Sequence, residues 1–155
     1  MNNQCLLNVQ SIFLESFYEY IKKGYSKMSV KVDFENITES CIIELKNSKI
    51  DRVLFFNFQL YSGPDKAFVA EFVRFWIDKE DNAGTSLLLR DYWRRIKGNE
   101  EHIPASLVHQ GKGDIFEERL KNYFKIVKDT LENDLKAVVK GKEWIDLPFD
   151  FYPYK

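Results

Sequence analysis

Cysteine and histidine are scarce in this chain, and each scarcity argues against a class of protein. Its two cysteines, Cys5 and Cys41, can form at most one bridge, and neither stands in a Cys-x-x-Cys or mixed Cys/His ligand pattern. A disulfide scaffold and a zinc module are therefore disfavoured, and reduced thiols in a cytoplasmic protein are the expectation. The two histidines, His102 and His109, fall in one expected loop, with no neighbouring nucleophile and no metal-ligand spacing. Long apolar runs are missing too. The densest stretch, Val53 to Leu60, contains Asn57 and Gln59 and falls far short of the ~20 apolar residues that cross a bilayer. The opening residues lack the basic start and apolar stretch of an export signal, and the first apolar positions are soon interrupted by Glu15 and Glu19. Nor does charge of one sign dominate: 23 basic and 24 acidic residues leave a net charge of −1, so no global field gathers nucleic acid or an anionic membrane.

What the chain does carry is aromatic residues, with 13 Phe, 8 Tyr and 3 Trp among 155 residues. Such rings supply large contact area in cores and in protein interfaces alike, so their positions decide their meaning. At this length one domain is the expectation, spanning 1–155, with no linker, repeat or low-complexity tract to divide it.

Val9, Ile12, Phe13, Phe17, Tyr20 and Ile21 recur at helical spacing and end at Lys22, Lys23 and Gly24, which predicts a helix over 5–23. From Met28 the period becomes two, with Met28, Val30, Val32 and Phe34 alternating with Ser29, Lys31, Asp33 and Glu35. Cys41 to Leu45 and Val53 to Tyr61 continue as strands between polar turns. Ser62-Gly63-Pro64-Asp65 signals a further turn into Ala67 to Ile77, where composition favours a fourth strand although the spacing also fits a helix. Thr85 or Ser86 is expected to cap a helix carrying Leu87 to Ile96 and stopping at Gly98. An irregular stretch over 99–113 leads to a long helix from Asp114, with a stripe running from Ile115 to Val138 before Gly141. The predicted fold is α+β: an N-terminal helix, a four-stranded antiparallel meander sheet, and C-terminal helices packed on the sheet. Large apolar groups on both faces of the third strand, among them Val53, Phe55, Leu54 and Phe56, predict cover on both sides, with helix one on one face and the C-terminal helices on the other.

Candidate chemistry is thin. Gln110 to Asp114 precedes a helix, but it lacks the Walker and Rossmann spacings, and Asp114, Glu117 and Glu118 put negative charge where a phosphate would bind. Asp33 with Glu35, and Asp78, Glu80 and Asp81, offer paired carboxylates of generic spacing. No metal site and no cofactor are expected. Arg90, Arg94 and Lys97 align on one helix face beside Trp93, which makes them candidate nucleic-acid contacts. The C-terminal tail over 144–155 is more pointed: Trp144, Phe149, Phe151, Tyr152 and Tyr154 lie among Asp146 and Asp150. These rings either fold back to close the core or form an aromatic patch rimmed by carboxylates, suited to a protein partner with a basic surface.

In length, paucity of motifs and aromatic content the chain resembles the small cytoplasmic proteins of bacterial toxin–immunity pairs. That resemblance implies neutralisation of a cognate toxin by direct binding, with Trp144, Asp146, Asp150, Tyr152 and Tyr154 as partner contacts. The competing readings are a nucleic-acid-binding module using the helix over 86–97 and an enzyme whose site is assembled across the fold.

Overall fold

Helix-spaced apolar residues precede strand-spaced ones, and the backbone keeps that order. The computed structural model describes residues 4–35, 38–62, 69–79, 86–98, 107–109 and 113–147. It begins with α1 (Gln4–Ser16) and α2 (Tyr18–Lys22), and continues through β1 (Lys27–Glu35), β2 (Thr38–Asn47), β3 (Arg52–Ser62) and β4 (Val69–Asp78). The remaining elements are β5 (Ser86–Leu88), α3 (Leu89–Arg95), β6 (Leu107–His109), α4 (Gly113–Glu132) and α5 (Lys136–Val139). The single helix expected over 5–23 is kinked at Phe17, where the amide still donates to the Phe13 carbonyl at 2.9 Å. Gly24, Gly98 and Gly141, read as helix stops, all adopt positive φ. At Gly141 a side chain is excluded twice over, because its Cβ would also lie 2.7 Å from Ile50 Cβ in the turn between β2 and β3.

The fold is α+β, and its sheet is antiparallel in the order β1-β2-β3-β4-β5. The four expected strands are present, and the structure adds β5 and β6. Since β3 occupies one edge of β4 along its whole length, both short strands share the other edge: β5 pairs with Trp76 to Asp78 and β6 with Val69 to Glu71. Each spans three residues, too short for alternation to show in a sequence. The helix predicted to carry Leu87 to Ile96 therefore shortens, with Ser86 and Leu87 in a strand and extended Leu88, not a serine or threonine, at the N-cap of α3.

Cys41, Ile43, Leu45, Leu54, Phe56, Phe58, Val73, Phe75, Ile77 and Leu87 share one buried sheet face. Phe13 of α1 stacks on Phe56 at 5.7 Å and meets the edge of Phe124 from α4 at 5.6 Å. Phe17 does the same with Phe75 and Phe124, at 5.5 and 5.4 Å. Both long helices thus cover the same face. This corrects the expectation that helix one and the C-terminal helices would take opposite sides, since one aromatic cluster joins α1, β3, β4 and α4. Fully burying one such ring contributes about 2–3 kcal/mol, which makes the shared cluster the main reason for the one-sided arrangement.

Candidate functional site

With both helices on one side, the other face of the sheet carries no helix among the described residues. Strand register builds that face row by row. Glu44, Phe55, Trp76 and Leu88 stand opposite one another across four strands; Lys46, Val53, Asp78 and Ser86 form the next row on one side, and Ile42, Asn57 and Arg74 the row on the other. At the centre the rings of Phe55 and Trp76 stack with centroids 5.0 Å apart and planes 8° apart. One face of each ring is therefore already covered by the other. Val53 is buried, Arg74 is exposed, and the remaining residues of these rows except Ser86 are partly buried. Lys46 reaches Glu44 at 4.0 Å, so charges of both signs border the aromatic centre.

Two acceptor atoms on this face are unsatisfied. Oδ1 of Asn57 and Oδ1 of Asp78 are buried and meet no hydrogen-bond donor among the described residues. Burial pushes the Asp78 carboxyl above the usual carboxylate range and the nearby Glu44 charge adds to this, against the lowering effect of side-chain hydrogen bonds from Ser86 and Trp76. A buried acceptor without a donor costs about 1–3 kcal/mol.

The residues singled out in the sequence distribute differently. Trp93 is 6% exposed, its indole N–H donates to Thr130 Oγ1 at 2.9 Å, and its ring meets Tyr123 edge-on. The ring expected to stack on bases is therefore spent in the core. Arg94 pairs with Asp91 at 3.5 Å and Lys97 with Asp134 at 3.4 Å, while Arg90 is exposed. At the tail, two cations approach the Trp144 ring, the Arg52 guanidinium at 5.0 Å and the Lys79 ammonium at 5.1 Å from its centre. Trp144, Ile145 and Leu147 pack against the core, and Asp146 is exposed. Asp150, Tyr152 and Tyr154 lie outside the described residues, as do His102, Glu80 and Asp81; His109 ends β6.

Comparison with protein-family models, curated proteins and solved structures finds no match. The site must be read from its own chemistry. Among the described residues, no three His, Cys, Asp or Glu side chains come together as a metal-holding group, and no helix is long and apolar enough to cross a membrane. A cleft of about 320 Å³ opens between α2 and the α4–α5 turn, bordered by Glu19, Lys23, Glu132, Lys136 and Lys140, whose opposite charges mark no ligand of one sign. Tyr20 on its wall is held protonated by burial and by the neighbouring Glu132 charge. The open sheet face is the stronger candidate. Sequence reasoning missed it because it set helix one and the C-terminal helices on opposite faces of β3, whereas α1 and α4 share one face; Val53 on the other face is still buried.

Proposed function

We propose that this chain is a non-enzymatic protein-binding module whose contact surface is the open face of its sheet. The observation that carries the reading is the stacked Phe55–Trp76 pair at the centre of that face, bordered by Glu44, Lys46, Arg74 and Asp78. An aromatic centre with a charged border is the usual anatomy of a protein interface, where a few buried rings supply most of the affinity. On the resemblance in length, paucity of motifs and aromatic content, the partner proposed is a toxin domain occluded by direct contact, the role of an immunity-type protein.

The nucleic-acid reading has less support. Phe55 and Trp76 already stack on each other, Trp93 is buried, and Arg94 and Lys97 already have acidic partners.

The test is co-expression with the product of the adjacent open reading frame, then size-exclusion chromatography. A stable complex is expected with the wild-type chain, reduced at least tenfold in affinity by Phe55→Ser with Trp76→Ser while circular dichroism stays unchanged. Undiminished binding by the folded double variant would move the interface elsewhere, and salt-sensitive binding of RNA in place of protein would overturn the reading.

A further inference from the structure

The strand β1 ends the sheet, and among the described residues its outer edge carries no neighbour. Its pairing with β2 runs without interruption from Lys27–Lys46 to Glu35–Thr38, so no bulge blunts the edge, and the strand contains no proline. On the helix side Met28 and Val30 are 45% and 38% exposed, although Leu45 and Ile43 directly opposite them are buried. A regular, unpaired edge with exposed apolar side chains is a template for another strand.

The charges on the strand decide which strand fits. In an antiparallel pair of identical strands, the outward N–H and C=O groups belong to alternate residues, so a residue must face one of the same parity. Centring the pair on Ser29 sets Lys27 against Lys31 of the second copy, and centring it on Lys31 sets Lys31 against itself; both place like charges directly opposite and are disfavoured. Centring it on Val32 carries Met28 beyond the end of the opposing strand. Centring it on Val30 leaves no like charges opposed: Lys27 faces Asp33 of the second copy, Ser29 faces Lys31, Met28 faces Val32, and Val30 faces Val30. The Lys31–Asp33 pair within the chain is long, at 4.0 Å, with both side chains more than half exposed, so Asp33 is able to accept a second cation.

We infer that two copies of this chain associate through β1 about a two-fold axis at Val30, extending the sheet across the dimer with all the helices on one side. The interface is a single strand pair, so the association is weak and concentration-dependent. It lies at the sheet edge, and its test is independent of the open-face reading.

Light scattering across a concentration series should show the mass rising from 18.4 kDa towards twice that value. Val30→Lys, with an unchanged circular dichroism spectrum, should remain monomeric over the same series. Mild oxidation of Val30→Cys should give a covalent dimer that wild-type protein and Lys31→Cys do not form. A mass fixed at that of the monomer, or a Val30→Lys variant that still dimerises, would overturn the proposal; faster cross-linking by Val32→Cys than by Val30→Cys would overturn its register.

Discussion

Arg52 is a charged side chain only 5% exposed whose three hydrogen bonds all end on carbonyls. Its Nε donates to Val138 at 2.8 Å, Nη1 to Asp51 at 2.8 Å and Nη2 to Glu143 at 2.9 Å, while Trp144 lies over the guanidinium. The planar fork joins the start of β3 to the segment after α5 in a way that a lysine, with one compact charge, cannot reproduce. Tyr25 acts beside it, its hydroxyl donating to the Val139 carbonyl. Arg52→Ala removes these three hydrogen bonds, one of them buried, and the cation from Trp144, so a loss of about 3 kcal/mol is expected in urea unfolding. Arg52→Lys should recover less than half of it. A loss within about 0.5 kcal/mol, the usual range for a surface substitution, would show that this clasp does not hold the C-terminal segment.

Among the elements, legibility tracked the length of the pattern. The helix expected over 5–23, the strands and the long C-terminal stripe were readable because apolar spacing persisted over several turns or several alternations, although the one helix expected to carry the stripe to Val138 ends at Glu132 and resumes as α5 at Lys136. Three-residue β5 and β6 offered no such length. The segment from Ala67 to Ile77 was ambiguous by spacing, and as β4 (Val69–Asp78) it stands opposite β3 along its whole length, with Phe55–Trp76 and Phe56–Phe75 pairs on its two faces. Sequence alone could not say that α1 and α4 share a face, because that depends on how Phe13, Phe17, Phe56 and Phe124 meet in space. The open face was hidden for the same reason. At α3 the competition between surface and core is explicit: Trp93, beside Arg90 and Arg94, ties α3 to α4 through Thr130, which itself donates to the Ile126 carbonyl at 3.1 Å. Trp93→Phe keeps the apolar ring and removes the hydrogen bond, so a loss of about 1 kcal/mol is expected by thermal unfolding. An unchanged melting temperature together with lost RNA binding would return Trp93 to the surface role that its neighbours suggested.

At the scale of the whole molecule, a core built from aromatic rings includes phenols, and these respond together to pH. Burial pushes the Tyr25 and Tyr123 hydroxyls up from their ordinary value, and Tyr20 is raised by burial and by the Glu132 charge. Burial also pushes the Cys41 thiol up to about 11 from 9.0. Each of these groups is neutral when protonated, and each releases its proton more readily in the unfolded chain than in the folded one. Their contribution to stability is therefore fully present below the unfolded-state values and is lost as pH rises through the folded-state ones. Stability should be flat in this respect through neutral pH, begin to fall above pH 9 as Cys41 becomes ionisable in the unfolded chain, and fall more steeply once the tyrosines join it. Urea midpoints measured at intervals from neutral to strongly alkaline pH check this, and Cys41→Ala should remove the earliest part of the decline. An unchanged midpoint well above pH 10 would mean that the phenols of Tyr20, Tyr25 and Tyr123 reach water in the folded protein, contrary to a core closed over them by α1, α4 and the clasped C-terminal segment.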